Sequence, residues 1–505
     1  MNRRRSIVYV GWACCVAVLF AGPLRAGESE SNTFRAILEL AEIGPDVLSH
    51  LSKGPRYVEA DWQIMLQVFD RLQRFEDLPS VRSEFANQLS LRSAQDRREK
   101  IGQIFDLAGI VDSVQELPLP EKLAERHGLN SVFLCQLRQL IPDPGDVEFV
   151  TVLSTDIPKR WHQKQSFHEN VRVRGVLIQG TRSDDDLDWQ TLLLTNHIAW
   201  YPVSEVPTGQ LLLARHDMDV ALLDEVRHRQ PFVKPEISRE GEAFYAALTA
   251  LRQVEQQELV RLAIDNVAAR ATAWRAQQPE LIREHQRLKE KLAAETDRGA
   301  RTILRSAVKT ARDRRGLAAA VIELSELQRS SVAPLFLQPQ EEIGELVNFE
   351  GVARRAVRIA VPNRTEAEQP NLNAYFEIEI FTADSQNLPI VCCVLQLPIG
   401  FPTGDQIREP VRIAGIFFKN WRYRSRRRVN EAGETGRQRQ LYTPVLLGKR
   451  PTWLNQTADR HGRWSLWGGI AFLAGLLTLW ISMSWLAKRD RVARAALRRN
   501  DIIDL

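Results

Sequence analysis

Two stretches of this 505-residue chain repeat the same residues at a constant offset of 242. The stretches begin at Ile101 and Ile343, and in each an Ile-Gly pair is followed by a glycine seven residues on and a proline eleven further. Both continue into short runs rich in β-branched and aromatic residues, bounded by Pro, Asn and Gly, which are typical of strands. The chain is therefore expected to contain two related β modules.

A second pair of matching runs lies further along each module. "VRVRG" ends at Gly175 and "VRIAG" ends at Gly415, and the same kinds of apolar residue surround both glycines. Alternation with a central glycine predicts a strand that bends or bulges at the glycine. With the flanking apolar runs, each module is predicted to have five strands.

This strand order resembles the OB-fold, a small, partly open Greek-key barrel. The resemblance covers residues 98–203 and 341–455. It implies an α+β protein with two tandem OB-like five-stranded β-barrel modules, each preceded by helices. One departure is the segment 398–408, where Pro and Gly oppose the helix that OB-folds usually carry between strands three and four. Another small barrel or a sandwich is the alternative fold.

Helical sequence precedes each module, over residues 33–97 and 210–340. Apolar residues recur there at helical spacing: Trp62, Met65, Leu66, Phe69 and Leu72, then Phe244, Ala247, Leu248 and Leu251. The second segment carries a long insertion around 255–328, predicted to form long helices that break near Pro279 as a protruding hairpin. It is either a solvated spacer or a docking surface.

Both chain ends carry targeting signals. Residues 1–26 combine arginines, a short apolar run and a small residue, which predicts a signal peptide, with an uncleaved anchor as the alternative. Residues 464–486 contain no charge and are long enough to cross a bilayer as a helix. The basic tail 487–505 favours a cytoplasmic C-terminus, with the bulk of the chain periplasmic or otherwise extracytoplasmic.

The net charge of +5 comes from the two chain ends, because the formal charge of the residues between them is about −2. Nucleic acid is therefore not an expected partner. Three cysteines remain after the leader, Cys135, Cys392 and Cys393, and are expected to be small buried residues without a disulfide framework.

Familiar catalytic and metal-binding motifs are missing from the sequence. It contains no Gly-x-Ser-x-Gly, no phosphate-binding loop, no His-Glu-x-x-His and no Cys-x-x-Cys. We predict no catalytic residues, no metal site and no cofactor.

Two charged loops occupy the same place in the two modules, between strands four and five. The first contains Asp184, Asp185, Asp186 and Asp188; the second contains Arg422, Tyr423, Arg424, Arg426, Arg427 and Arg428. Guanidinium groups beside aromatic rings can hold phosphate, carboxylate or an anionic sugar. The alternatives are solvated loops, attraction between the acidic and basic loops, or Ca²⁺ on the aspartates, whose spacing is not that of a calcium loop.

These features predict a non-enzymatic, membrane-anchored envelope protein for binding or assembly. Its expected partners are the membrane, an envelope protein, and an anionic glycan or lipid headgroup at the Arg422 loop. A membrane-tethered enzyme or a carrier acting on envelope material is the alternative. As a whole the chain resembles uncharacterised bacterial single-pass membrane proteins, a similarity that implies no activity.

Overall fold

The computed structural model describes residues 33–51, 57–76, 78–84, 99–139, 148–164, 166–182, 189–232, 238–361, 372–424, 440–454 and 458–500. The predicted leader lies outside these ranges, as do Asp184, Asp185, Asp186, Asp188, Arg426, Arg427 and Arg428. Contacts divide the chain into two compact units, Met1–Ala199 and Trp200–Leu505.

The first unit packs helices on a six-stranded sheet. Its helices are α1 (Thr33–Leu40), α2 (Pro45–Ser49), α3 (Glu59–Phe75), α4 (Pro79–Glu84) and α5 (Glu121–His127). Its strands are β1 (Ile104–Pro118), β2 (Ser131–Gln139), β3 (Glu148–Ser154), β4 (Glu169–Arg182), β5 (Trp189–Thr195) and β6 (Ile198–Trp200), which crosses the unit boundary. The apolar stripe predicted on α3 is buried with Phe34 and Leu38 against the sheet residues Ile104, Val176 and Leu194.

The second unit has more helix and a second six-stranded sheet. Its helices are α6 (Thr208–Arg215), α7 (Arg239–Gln253), α8 (Gln256–Ala294), α9 (Arg298–Ser325), α10 (Ala333–Leu337), α11 (Pro339–Glu342) and α12 (Ala458–Asn500). Its strands are β7 (Leu346–Ala360), β8 (Ala374–Phe381), β9 (Ile390–Val394), β10 (Glu409–Arg424), β11 (Gln440–Gly448) and β12 (Thr452–Trp453). The predicted stripe Phe244, Ala247, Leu248 and Leu251 is buried on α7.

The two sheets share one pairing scheme. In the first, β1 pairs with β2, β2 with β3, β3 with β5, β5 with β4 and β4 again with β1. Of these five pairs, β3–β5 is parallel and the other four are antiparallel. Strands β7, β8, β9, β11 and β10 repeat this circuit. Ile104 faces Val176 in the first sheet and Leu346 faces Ile416 in the second, so the repeated residues occupy the same register.

The predicted irregularity of the glycine strands occurs three residues after each glycine. The register shifts between Leu177 and Gln179 in β4 and between Phe417 and Lys419 in β10. Strands β1 and β7 shift at the same distance beyond Gly109 and Gly351. The prediction of a bulge at Gly175 and Gly415 themselves is therefore wrong. At those glycines the neighbouring strand lies close: a Cβ would meet the Leu194 or Leu447 carbonyl oxygen at 2.6 or 2.7 Å.

Each sheet has one short strand more than the five predicted. In the first, the run predicted as strand five divides into β5 and β6. The Thr195 hydroxyl donates to the His197 carbonyl at 2.8 Å, which turns the chain so that β6 joins the sheet beside β4. In the second, β12 pairs with β10 through Val411 and Trp453.

Helices α8 and α9 are consecutive, packed on one another and joined by three residues, so the insertion is a helical hairpin. The predicted break near Pro279 is wrong, because Pro279 lies inside α8. Proline removes one backbone hydrogen bond, and packing of α8 against α9, with Leu281 and His285 buried, offsets that loss. The chain turns at 295–297 instead, where the Asp297 carboxylate accepts from the Ala300 N–H at 2.7 Å.

His285 makes the hairpin sensitive to acid. Its side chain is buried between the helices, and burial, together with Arg315, Lys289 and Arg312, lowers its pKa below the ordinary value of 6.5. The unfolded hairpin binds the proton more readily than the folded one, so stability is unaffected at higher pH and falls as pH drops through about 6.5.

We therefore expect amide hydrogen exchange in α8 and α9, corrected for intrinsic rates, to accelerate as the pH falls below about 6.5. His285→Gln should remove this acceleration, because glutamine does not titrate. The same pH response in wild type and variant would contradict the assignment to His285.

Helix α12 contains an apolar segment, Gly469–Arg489, that is long enough to cross a membrane. Its side chains are exposed. The segment overlaps the predicted span 464–486.

Candidate functional site

Three residues of the predicted basic loop lie at the end of β10. Arg422 faces Tyr442 of β11, Tyr423 faces Leu441, and Arg424 is the last residue of the strand. Arg422 and Tyr423 are half-buried. The loop that the strand enters, with the other three arginines, lies outside the described residues, as does the acidic loop, and attraction between the loops stays a prediction.

A segment from the helical half of the unit holds this end of β10. The Arg229 N–H donates to the Asn420 carbonyl at 2.6 Å, and the Arg422 N–H donates to the Gln230 carbonyl at 3.4 Å. The Asn420 N–H also donates to His228 Nδ1 at 3.2 Å. The backbone that carries Arg422 is thus fixed on both edges, by β11 and by residues 228–230.

Aromatic rings pack along one side of the same strand end. Phe232 stacks on Phe418 with ring centroids 6.1 Å apart and meets Trp421 edge-on at 6.0 Å. Trp421 lies 6.0 Å from Tyr423, and Phe244 of α7 packs against Phe418 at 5.6 Å. The row ends at the half-buried Tyr423, so it reaches from the core to the place where the arginines begin.

A buried ion pair lies within this aromatic layer. Lys419 Nζ bonds to Glu240 Oε1, and the two side chains are 0% and 7% exposed. The ammonium group also lies 4.6 Å from the centroid of the Phe232 ring. Burial lowers the pKa of Lys419 from its ordinary value, against the opposing effect of Glu240. The pair joins the start of α7 to β10.

Tyr423 is held in its neutral form. Burial raises the pKa of its phenol, and the nearby Glu379 carboxylate raises it further. A neutral phenol can donate a hydrogen bond to an anion. Glu379 forms a salt bridge with Arg355 at 3.2 Å, and Arg355 forms a second one with Glu377 at 2.6 Å.

The arginines of the two repeated V-R runs have structural partners instead. Asp106 accepts from Arg172 at 2.7 Å and Arg174 at 3.2 Å in the first sheet. In the second, Glu350 bonds to Arg412 and Arg329. Burial alone would raise the pKa of Glu350, but hydrogen bonds and charge from these arginines lower it. These residues hold strands and helices together and are poor candidates for ligand binding.

The three cysteines in the described part of the chain, Cys135, Cys392 and Cys393, are buried free thiols, as predicted. Burial raises the pKa of Cys135 to about 12 and raises those of Cys392 and Cys393 as well. Within the described ranges, no group of three or more His, Cys, Asp or Glu side chains is placed to hold a metal ion.

Comparison with known proteins gives no family for this chain: no protein-family model matches it, and no curated protein matches it. The resemblance to bacterial single-pass membrane proteins stays an expectation. The site must be interpreted from its own chemistry.

The sequence predicted the arginines of the site but not the residues that hold their strand in place. Neither segment 228–232 nor the Lys419–Glu240 pair was predicted. One available signal was Lys419 itself, a single charge in the apolar run "GIFFKNW", because a cation within a buried strand needs a partner.

Proposed function

We propose that this chain is a membrane-anchored, non-enzymatic binding protein that captures an anionic partner at the paired ends of β10 and β11. The observation that carries the proposal is the combination at this place of Arg422, the neutral phenol of Tyr423 and the Trp421 ring on a backbone held at both edges. Guanidinium and phenol groups bind oxyanions, and the rigid strand end reduces the entropy lost on binding.

Anchoring is part of the proposal. The apolar segment of α12 and the basic residues that follow it support a single span with a cytoplasmic C-terminus. The N-terminal leader supports export of the chain between the two. The two units would then lie outside the cytoplasm, in the envelope of a bacterial cell.

We further propose that both sheets are OB-like barrels. The closed pairing circuit, with one parallel pair between the third and fifth strands, supports this. Residues 395–408, between β9 and β10, form no helix, which departs from the usual OB-fold. In OB-folds the loop between strands four and five helps to bind ligands, and the basic loop occupies that place.

Crosslinking in native membranes tests the binding site. We expect a photoreactive amino acid at Tyr442, which is 38% exposed and faces Arg422, to capture a partner in a salt-sensitive manner. Replacing Arg424, Arg426, Arg427 and Arg428 with Ser should abolish this capture, because it removes the charges that attract the anion. Mass spectrometry and glycan and lipid analysis of the adducts distinguish an acidic protein from a glycan or a headgroup.

Two controls make the result specific. A photoreactive residue at Ile399, which is 96% exposed, should not capture the same partner. Replacing four exposed arginines of α8 with Gln changes the charge equally and should leave capture intact; these are Arg261, Arg275, Arg283 and Arg287. Unchanged adducts in the loop variant would rule out the basic loop, and unchanged adducts after Arg422 is also replaced with Ser would rule out the site.

A further inference from the structure

Helix α9 carries an ordered array of cations. The segment from Arg298 to Arg315 contains seven basic side chains and one acidic side chain, Asp313. Five of the seven follow one another at steps of three, four, four and three residues: Arg298, Arg301, Arg305, Lys309 and Arg312. At 100° per residue they fall within an arc of about 80° and extend along about 21 Å of the helix. We call these five residues the basic stripe.

The basic stripe faces solvent. The buried side chains of α9 are Ala311, Leu317, Ala318 and Val321, and their mean direction is about 180° from that of the stripe. All five stripe residues are exposed, and none forms a salt bridge with any other described residue. Their charge is therefore available to a partner.

Three properties of the stripe define that partner. Five cations along one side of a helix can touch a flat surface together. Within the arc of the stripe the helix has no large apolar side chain, because Ile303, Leu304 and Val308 lie outside that arc, whereas protein interfaces usually have an apolar core. A basic surface without apolar residues binds anionic headgroups by charge and does not insert.

We propose that the basic stripe binds the anionic surface of a phospholipid bilayer. This inference rests on the proposed membrane anchoring, which places a bilayer within reach of the second unit, and it is independent of the β10 site. Among the described residues a hairpin of this kind precedes only the second sheet, so it adds a lipid-binding surface to the second module.

Vesicle flotation tests the proposal with the full-length chain in neutral phosphatidylcholine nanodiscs. We expect the discs to float with vesicles that contain phosphatidylglycerol and not with pure phosphatidylcholine vesicles, and this association to disappear in about 0.5 M salt. Replacing the five stripe residues with Gln, a good helix former, should lower the apparent affinity by about 100-fold or more.

The matched control lies on the partner helix of the same hairpin. Replacing Arg275, Arg283, Arg287, Lys289 and Lys291 of α8 with Gln removes the same charge, but these exposed residues are spread around the helix. This variant should keep most of the binding. Circular dichroism should show the same helix content in both variants.

Several results would overturn the lipid assignment. They are equal losses in the two variants, no preference of the wild type for anionic vesicles, or stronger competition from duplex nucleic acid or polyglutamate than from lipid. If the full-length chain stays soluble without nanodiscs, the vesicle flotation is done with the free protein. That solubility would contradict the proposed membrane anchor but would leave the lipid-binding test of the stripe unaffected. The basic loop is intact in every variant, so the β10 site is tested separately.

Discussion

Replacing Glu240 with Ala, while Lys419 stays in place, is expected to destabilise the second unit by about 3–5 kcal/mol, because it leaves a buried ammonium group without its carboxylate. Lys419 is fully buried, and its ammonium group also lies 4.6 Å from the centroid of the Phe232 ring. Hydrogen exchange of peptides from α7 and β10 measures the loss locally, without assuming two-state unfolding of a chain with two units.

Two further variants separate the ion pair from general effects on α7. Glu242 lies in the same first turn and is exposed, so Glu242→Ala should cost less than about 0.5 kcal/mol. Replacing Glu240 and Lys419 together with Met should recover most of the stability, since a buried pair can be replaced by apolar residues of similar volume. A double variant as unstable as Glu240→Ala would show that the charges are not the cause.

Gly109→Ala and Gly351→Ala are each expected to destabilise their own unit by about 1–3 kcal/mol. A Cβ at Gly109 would lie 2.6 Å from the Arg138 carbonyl oxygen, and one at Gly351 would lie 2.5 Å from that of Phe381. The neighbouring backbone must move in both cases. Hydrogen exchange of β1 and β2, or of β7 and β8, measures the effect.

Gly316 provides the control of opposite sign. It lies within α9. Apart from its chain neighbours and the backbone of its own helix, no atom comes within 4 Å of a Cβ placed there. Gly316→Ala should therefore stabilise the hairpin by about 0.5–1 kcal/mol. Tolerance of alanine at both Gly109 and Gly351 would contradict the close approach of the strands.

The strands could be predicted because their signals are local. Alternation and the repeated glycines indicate where β1, β4, β7 and β10 lie, and two copies of one pattern reinforce each other. Which strands pair could not be read from local sequence, but the shared register explains why the glycines recur at similar offsets, 242 residues from Gly109 to Gly351 and 240 from Gly175 to Gly415. Each of them marks a close contact between neighbouring strands.

The missed features depend on distant or compensating contacts. Lys419 and Glu240 are 179 residues apart, and no local pattern joins them. Pro279 is a strong local signal against a helix, yet packing of α8 on α9 overrides it. The exposure of the basic stripe could also not be predicted from the sequence. A 3-4-4-3 spacing places the five residues on one face of a helix, but only the packing of the hairpin shows that this face points to solvent.

The segment that pairs with the end of β10 has a consequence for self-association. Strand β7 pairs with β10 only as far as Ile416, and Arg229 and Gln230 pair with it further along, at Asn420 and Arg422. An uncovered sheet margin is a template on which another polypeptide can polymerise. Residues 228–230 thus protect this edge of β10 from pairing with other chains. If they detached, a β-strand from another molecule could pair with β10 beside Arg422 and Arg424.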